Sequence, residues 1–274
     1  MTSSSPRPFL WLNNDLLPAD GPALTAQDRG VLLGDGLFET MQLRNRQVPL
    51  LEAHLARMEE GCRILRLPAP NRETVQAALD RLIAANNLTD GSVRMTLSRG
   101  TGPRGLTPPA KPHTTLLITT APPSEQSATP VRLHVSTQRR DRQAVLNRVK
   151  SISALPAILA RMEAREKGAD DALWLTHEGE IAEATAASFL ALLDGQIVTP
   201  PLSAGILPGI SRGRLLSAGL CKERSLTEAD IPKLQGAWLV TALSLTPVAA
   251  IGTQELPLQP EQTSRLRHFL HDGQ

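Results

Sequence analysis

The order of apolar and polar positions changes period along the chain, and each change marks an element. The run Phe9-Leu10-Trp11-Leu12 gives way to Asn13-Asn14-Asp15, which predicts a strand and a turn. Leu51, Leu55, Met58 and Cys62 recur at three- and four-residue intervals and predict a helix over residues 50–65. Val75, Ala78, Leu79, Leu82 and Ile83 do the same over residues 72–86. Residues 93–97 and 114–119 read as strands, as do residues 131–135 and 172–176 further along. Residues 155–167 form a predicted helix with Leu155, Ile158, Leu159 and Met162 on one face and Gly168 placed to end it. Residues 189–193 and 196–199 flank Asp194-Gly195, the signature of a tight β-hairpin. A short helix over residues 211–220 follows Gly209, and residues 237–241 make another strand.

Residues 121–130, rich in proline and small polar side chains, break this succession and read as a linker. The expected organisation is a smaller N-terminal α/β domain over residues 1–122, a linker at 123–130 and a larger C-terminal domain over 131–274. Mixed strands and helices place both domains in the α/β or α+β class. No internal repeat or low-complexity tract is present.

Composition narrows the function classes. The 274 residues suffice for two domains with real cores. An apolar fraction of 41% and a charged fraction of 20% are those of an ordinary globular protein. With a net charge of +2, no stretch of Lys and Arg is dense enough for a nucleic-acid track. The basic group Arg139-Arg140-Asp141-Arg142 reads as a solvated face or loop. No apolar run approaches the length of a membrane span. The N-terminal residues 1–8 lack the apolar stretch of a signal peptide, so a cytoplasmic location is expected. Two cysteines, Cys62 and Cys221, make neither a disulfide framework nor a metal site, and each reads as a small buried residue. The chain has no tyrosine, which excludes any mechanism that needs a phenol.

Several residues could carry chemistry. Lys150 sits in Val149-Lys150-Ser151-Ile152, at the end of a predicted strand. Most lysines are solvated surface residues. Among small and apolar neighbours, burial disfavours the charged form of the amine, and a free amine can attack an aldehyde. Glu183, in Ile181-Ala182-Glu183-Ala184, reads as an exposed carboxylate on a strand or as a carboxylate beside a pyridine nitrogen. In the second role it keeps that nitrogen protonated, so the ring accepts electrons from a carbanion. The segment Gly205-Ile206-Leu207-Pro208-Gly209-Ile210-Ser211-Arg212 places a glycine turn before a helix, whose first N–H groups and dipole bind anions such as phosphate. The plain alternative is an ordinary helix start with Ser211 helping as a cap. Thr241-Ala242 at a strand end adds a hydroxyl. Arg57 could clamp a phosphate bidentately or form a surface ion pair.

Each motif is weak alone, but their order is specific. Gly34-Asp35-Gly36-Leu37-Phe38-Glu39-Thr40, then His54 to Arg57, Lys150, Glu183-Ala184-Thr185-Ala186, Leu207-Pro208-Gly209-Ile210-Ser211-Arg212, and Thr241 to Thr246-Pro247 resemble the class IV aminotransferase family, also called pyridoxal-5′-phosphate (PLP) fold type IV. The resemblance runs from about residue 9 to residue 250. It implies two α/β domains with PLP between them and a homodimer that completes the site. It further implies that Lys150 holds the cofactor, that Glu183 faces the pyridine nitrogen, and that Arg57, Ile210, Ser211, Thr241 and Ala242 hold the phosphate. The implied substrate is a small amine or an amino-acid-like molecule.

The segment Ser98-Arg99-Gly100-Thr101-Gly102-Pro103-Arg104-Gly105-Leu106 bears on which reaction is run. D-amino-acid transaminases resemble it through Arg104 but place a histidine where this chain has Leu106, and a tyrosine where it has Phe38. Two of their three substrate-carboxylate contacts are therefore missing. Branched-chain transaminases use tyrosines, and this chain has none. The pattern with Phe38 resembles 4-amino-4-deoxychorismate lyases most, which implies release of pyruvate and p-aminobenzoate. Two departures point the other way: Ser151-Ile152-Ser153-Ala154-Leu155 follows the lysine in place of the lyases' usual run, and Glu39 is transaminase-like. The alternatives are a D-amino-acid, branched-chain or (R)-amine transaminase, or a PLP-binding module without catalysis. Phe38, Arg104 and Leu106 are the expected substrate contacts.

Overall fold

The computed structural model describes residues 8–21, 24–123 and 129–272. Chain contacts divide it into two units, Met1–Ser124 with Val149–Ser153, and Glu125–Arg148 with Ala154–Gln274. The expected domain containing residues 131–274 is thus not continuous: the segment that carries Lys150 groups with the first unit. Residues 124–128 of the expected linker lie outside the described residues, as do residues 1–7.

In the first unit, β1 (Phe9–Leu12), β2 (Asp15–Pro18), β3 (Gly36–Leu43), β4 (Gly91–Ser98) and β5 (Thr115–Ala121) form one antiparallel sheet in the order β2-β1-β5-β4-β3. Asn13 makes the β1–β2 turn with φ 55°, a left-handed conformation that asparagine tolerates. Along β3, alternation buries Leu37, Glu39, Met41 and Leu43, with half-buried residues between them. Helices α2 (Leu51–Leu65) and α3 (Arg72–Ala85) supply the rest of the core through the periodic residues predicted for them, including Leu55, Met58, Cys62, Val75, Leu79 and Leu82. Asn71 caps α3 by accepting a hydrogen bond from the Thr74 N–H at 2.9 Å. A short helix, α1 (Arg29–Leu33), precedes β3. The open edge of β3 is taken up by the Lys150 segment: the Phe38 N–H donates to the Lys150 carbonyl at 2.9 Å, the Ile152 N–H donates to the Gly36 carbonyl at 3.1 Å, and Leu37 bridges Ser151. Lys150 therefore lies in a short extended strap, not at the end of a strand of its own.

The second unit is built on a mixed sheet. Its strands are β6 (Val131–Arg140), β7 (Asp171–Thr176), β8 (Ile181–Ala184), β9 (Ser188–Leu193), β10 (Gln196–Thr199), β11 (Lys222–Glu223), β12 (Gly236–Val240), β13 (Leu245–Ile251) and β14 (Gln254–Glu255). They run in the order β11-β10-β9-β12-β13-β6-β7-β8, and β14 pairs with β13. The β13–β6, β6–β7 and β10–β11 pairs are parallel. Both faces are covered, so β7, β8, β9 and β12 are buried throughout. Alternation still sorts their side chains into separate cores. Phe189, Ala191, Ala237 and Leu239 pack in one, while Leu190, Leu192, Trp238 and Val240 pack in another with Leu215 and Leu266. Those last two belong to α5 (Ile210–Ser217) and α6 (Pro260–Asp272). Cys62 and Cys221 are buried free thiols, each pushed up to about 11 by burial.

Two predicted elements differ in a telling way. β6 continues to Arg140, past a register shift between Val135 and Arg139 in its pairing with β7. Helix α4 (Leu155–Glu166) forms as predicted, but its inward face is Ala160 and Ala164. The stripe of Leu155, Ile158, Leu159 and Met162 points outward, each residue between 46% and 63% exposed. No helix among the described residues is long and apolar enough to cross a membrane.

Candidate active site

Lys150 is half-buried, and its Nζ lies 4.5 Å from the centroid of the Phe38 ring. Phe38 is placed there by β3, whose backbone pairs with the strap that carries the lysine. The next residue on β3, Glu39, points to the opposite face and is 1% exposed. There it accepts from Arg57 Nε at 2.8 Å and Arg57 Nη2 at 2.5 Å, and it lies 2.7 Å from His54 Nδ1. Burial alone would raise the Glu39 carboxyl, but the hydrogen bonds from His54 and Arg57 and their charges outweigh it and hold it below the usual carboxylate range. His54 and Arg57 are three apart on α2, so one helical face presents both to Glu39. Arg57 is accordingly a half-buried arginine paired with a buried carboxylate.

In the second unit, β8 places Glu183 in the interior. Its Oε1 accepts from Arg140 Nη1 at 2.5 Å and from the Leu207 N–H at 3.2 Å. Arg140 in turn stacks over the Trp174 ring at 4.5 Å and donates to Asn147 Oδ1 at 3.1 Å. The carboxylate is thus fixed by a cation and a backbone amide, and it is not the exposed strand carboxylate that was the plain alternative. Arg140 went unassigned in the sequence because it lies in a basic cluster that reads as solvated. Glu39 went without a partner there because the pairing is long-range.

Helix α5 opens at Ile210 with Gly209 as N-cap and no side-chain capping bond. A Cβ on Gly209 would lie 2.5 Å from Ser188 Oγ, which would have to rotate away. Ser211 is inside the helix and does not cap it: its Oγ donates to the Thr241 carbonyl at 2.8 Å. The Thr241 hydroxyl accepts from the Leu243 and Ser244 N–H groups, each at 3.0 Å, and so shapes the turn that begins at Ala242. The α5 N-terminus and the 241–242 turn therefore meet through Ser211, with the first amides of the helix uncovered by any side-chain cap, the arrangement an anionic phosphate requires. Ile210, Ser211, Thr241 and Ala242 are brought together.

Arg104 and Leu106, expected to share substrate contacts with Phe38, belong to the first unit. They sit on the exposed loop after β4, with Leu106 82% exposed.

Relatives share this architecture. Residues 36–251 match the profile of the family described as amino-transferase class IV. The bifunctional aminodeoxychorismate lyase / D-amino acid transaminase of Mycobacterium tuberculosis is 26% identical, spanning 91% of this chain and 93% of its own length. The crystal structure of 4-amino-4-deoxychorismate lyase from Pseudomonas aeruginosa has a TM-score of 0.79 at 30% identity, over 96% of this chain and 98% of that one. The branched-chain aminotransferase of Thermoproteus uzoniensis, solved with norvaline, has a TM-score of 0.88 over 96% of this chain and 95% of its own, and its 23% identity speaks to fold alone. The matched span holds β3, the lysine strap, the buried Glu183 and the α5 start in the order the motifs predict, and the chain belongs to the class IV aminotransferases, the fold type IV enzymes of pyridoxal 5′-phosphate.

Proposed function

We propose that this enzyme is a 4-amino-4-deoxychorismate lyase, acting as a cytoplasmic homodimer and releasing p-aminobenzoate and pyruvate. The observation that carries the reading is Phe38 under the Lys150 amine at 4.5 Å. An apolar ring face at that place suits a flat ring substrate. It offers no hydroxyl to the carboxylate of a small amino acid. Leu106 likewise offers none, so Arg104 is left as the carboxylate contact on its loop. Each charge-assisted hydrogen bond contributes on the order of 1.5–3 kcal/mol, which is about tenfold or more in affinity per lost contact. A small amino acid held by one contact in place of three binds poorly, whereas a ring substrate has more surface to place beside Phe38, whose ring also lies 4.0 Å from the Arg94 guanidinium.

In this reading Lys150 holds the cofactor through its amine. Glu183, oriented by Arg140 and Leu207, would serve the pyridine nitrogen and keep it protonated. Ile210, Ser211, Thr241, Ala242 and Arg57 hold the phosphate. Bound PLP supplies an electron sink that stabilises the carbanion left when a proton is removed. Once the substrate amine has taken its place on the cofactor, the freed Lys150 Nζ would remove that proton from the ring carbon bearing the substrate nitrogen, as general base, and the enolpyruvyl group would leave and be protonated to pyruvate. Arg104 holds the substrate carboxylate throughout.

A second reading, D-amino-acid transamination, is favoured by one observation, the Glu39 carboxylate buried between His54 and Arg57. There Lys150 would carry the proton from Cα to the cofactor carbon. Purified enzyme incubated with aminodeoxychorismate should form p-aminobenzoate and pyruvate in equal amounts, and should turn over D-alanine with 2-oxoglutarate poorly. Fast D-alanine transamination with no p-aminobenzoate would reverse the order of the two readings. Arg104→Ala should raise KM for aminodeoxychorismate about tenfold or more and leave the spectrum of the bound cofactor unchanged.

A further inference from the structure

Residues 103–108, around Arg104, are all exposed, so packing does not order this loop. What orders it is a buried arginine far back in the sequence, Arg29. Arg29 is 3% exposed and opens α1. Its Nη1 donates to the Gly105 carbonyl at 3.0 Å and more loosely to the Thr107 carbonyl at 3.4 Å, while Nη2 donates to the Leu106 carbonyl at 2.9 Å. Its backbone N–H donates to the Gly100 carbonyl at 2.9 Å, and its neighbour Asp28 bridges Thr101. Gly102 is glycine because the arm passes there: a Cβ would lie 2.8 Å from Arg29 Cδ.

The arm is itself held. Arg29 Nε donates to Asp35 Oδ2 at 2.9 Å, and the same oxygen accepts from Arg99 Nε at 2.7 Å. Arg99 reaches on to the Leu65 and Arg66 carbonyls at 2.9 and 3.2 Å, at the end of α2. Burial alone would raise the Asp35 carboxyl, but the Arg99 and Arg29 guanidiniums hold it below its usual range. A planar guanidinium with fixed donor directions serves a carboxylate and a row of carbonyls at once, which the point charge of a lysine cannot do.

We propose that Arg29 is a positioning residue for substrate recognition, fixing the backbone of residues 105–107 and with it the direction in which Arg104 presents its guanidinium. This rests on the reading of Arg104 as the carboxylate contact. Arg29 touches no substrate and acts through Arg104 alone.

The test combines a double-mutant cycle with proteolysis of the holoenzyme. Arg29→Lys keeps the charge beside Asp35 but loses the fork. Gly102→Ala displaces the arm while leaving Arg29 in place, and serves if Arg29→Lys fails to fold. Either variant should raise KM for aminodeoxychorismate (or for D-alanine, if transamination is the activity) by about tenfold with kcat little changed. Either should also speed tryptic cleavage after Arg104 in the absence of substrate. In an Arg104→Ala background neither should raise KM further, because two residues acting through one contact are fully coupled. A KM effect that persists undiminished in Arg104→Ala, or cleavage after Arg104 at the wild-type rate, overturns the role given to Arg29. Arg104→Ala with unchanged KM overturns the reading of Arg104 and this inference with it.

Discussion

At the scale of single residues, the proposed chemistry rests on Lys150 and Glu183, and each has a direct test. Borohydride reduction of the holoenzyme should leave the cofactor covalently attached to the peptide containing Lys150; label on another lysine would remove the assignment. Lys150→Ala should abolish repeated turnover, because no amine remains to move protons. Glu183→Gln keeps the size and the Leu207 hydrogen bond but loses the charge, so it should bind PLP and lose most of kcat. Near wild-type turnover in that variant would show that Glu183 does not serve the ring nitrogen. Both residues were singled out because six motifs fell in order along the chain. Their partners were not. Arg140 lies in a run of charges with no period to say which one turns inward, and only the irregular register of β6 against β7 carries it to Glu183. Glu39 and Arg57 are eighteen positions apart, beyond the reach of any local pattern.

At the scale of elements, periodicity recovered α2, α3, α4 and the Asp194-Gly195 hairpin nearly to the residue, since each carries a regular apolar pattern, which α2 and α3 bury and α4 turns outward. It missed the end of β6, where Ser136-Thr137-Gln138 interrupts the apolar run. Those polar residues have a structural purpose. Glu163 of α4 accepts from Ser136 Oγ at 2.8 Å and the Thr137 N–H at 2.9 Å, and lies 3.1 Å from His134 Nε2, which fastens the helix to the strand. Burial acts to raise the Glu163 carboxyl, but these bonds outweigh it and take it from 4.5 to about 2. A depressed folded-state value contributes stability that is present above about pH 4.5 and is lost as the pH falls toward 2. Glu163→Gln should therefore cost about 1–3 kcal/mol at neutral pH and little at the acid end of that window. Denaturant melts of both proteins between pH 7 and pH 2 read this out; a penalty independent of pH would mean that the carboxylate charge is not what fastens α4.

At the scale of the whole molecule, the outward stripe of α4 is the feature that one chain does not explain. Leu155, Ile158, Leu159 and Met162 follow helical spacing as a core face does, yet alanines face the sheet and the stripe stays uncovered. A sequence pattern reports that a face is apolar but not whether its own chain covers it. We attribute the stripe to the proposed homodimer, where a second copy would remove it from water. Ile158→Asp should shift sedimentation toward the monomer and lower specific activity at low protein concentration, both relieved at high concentration. Unchanged sedimentation in this variant would place the dimer contact elsewhere.

The strap formed by Val149–Ser153 also bears on how the protein is made. A ribosome completes β1 to β5 long before it reaches residue 149, so for the intervening residues the nascent first unit has a sheet whose β3 margin is unsatisfied. A fragment cut at residue 124 freezes that stage and should self-associate through β3. A synthetic peptide of residues 149–153 added to it should compete for the same backbone groups. In the finished enzyme the residue proposed to hold the cofactor thus belongs to the segment that closes the first unit's sheet last, so that the lysine and the completion of that unit arrive with the same few residues of translation.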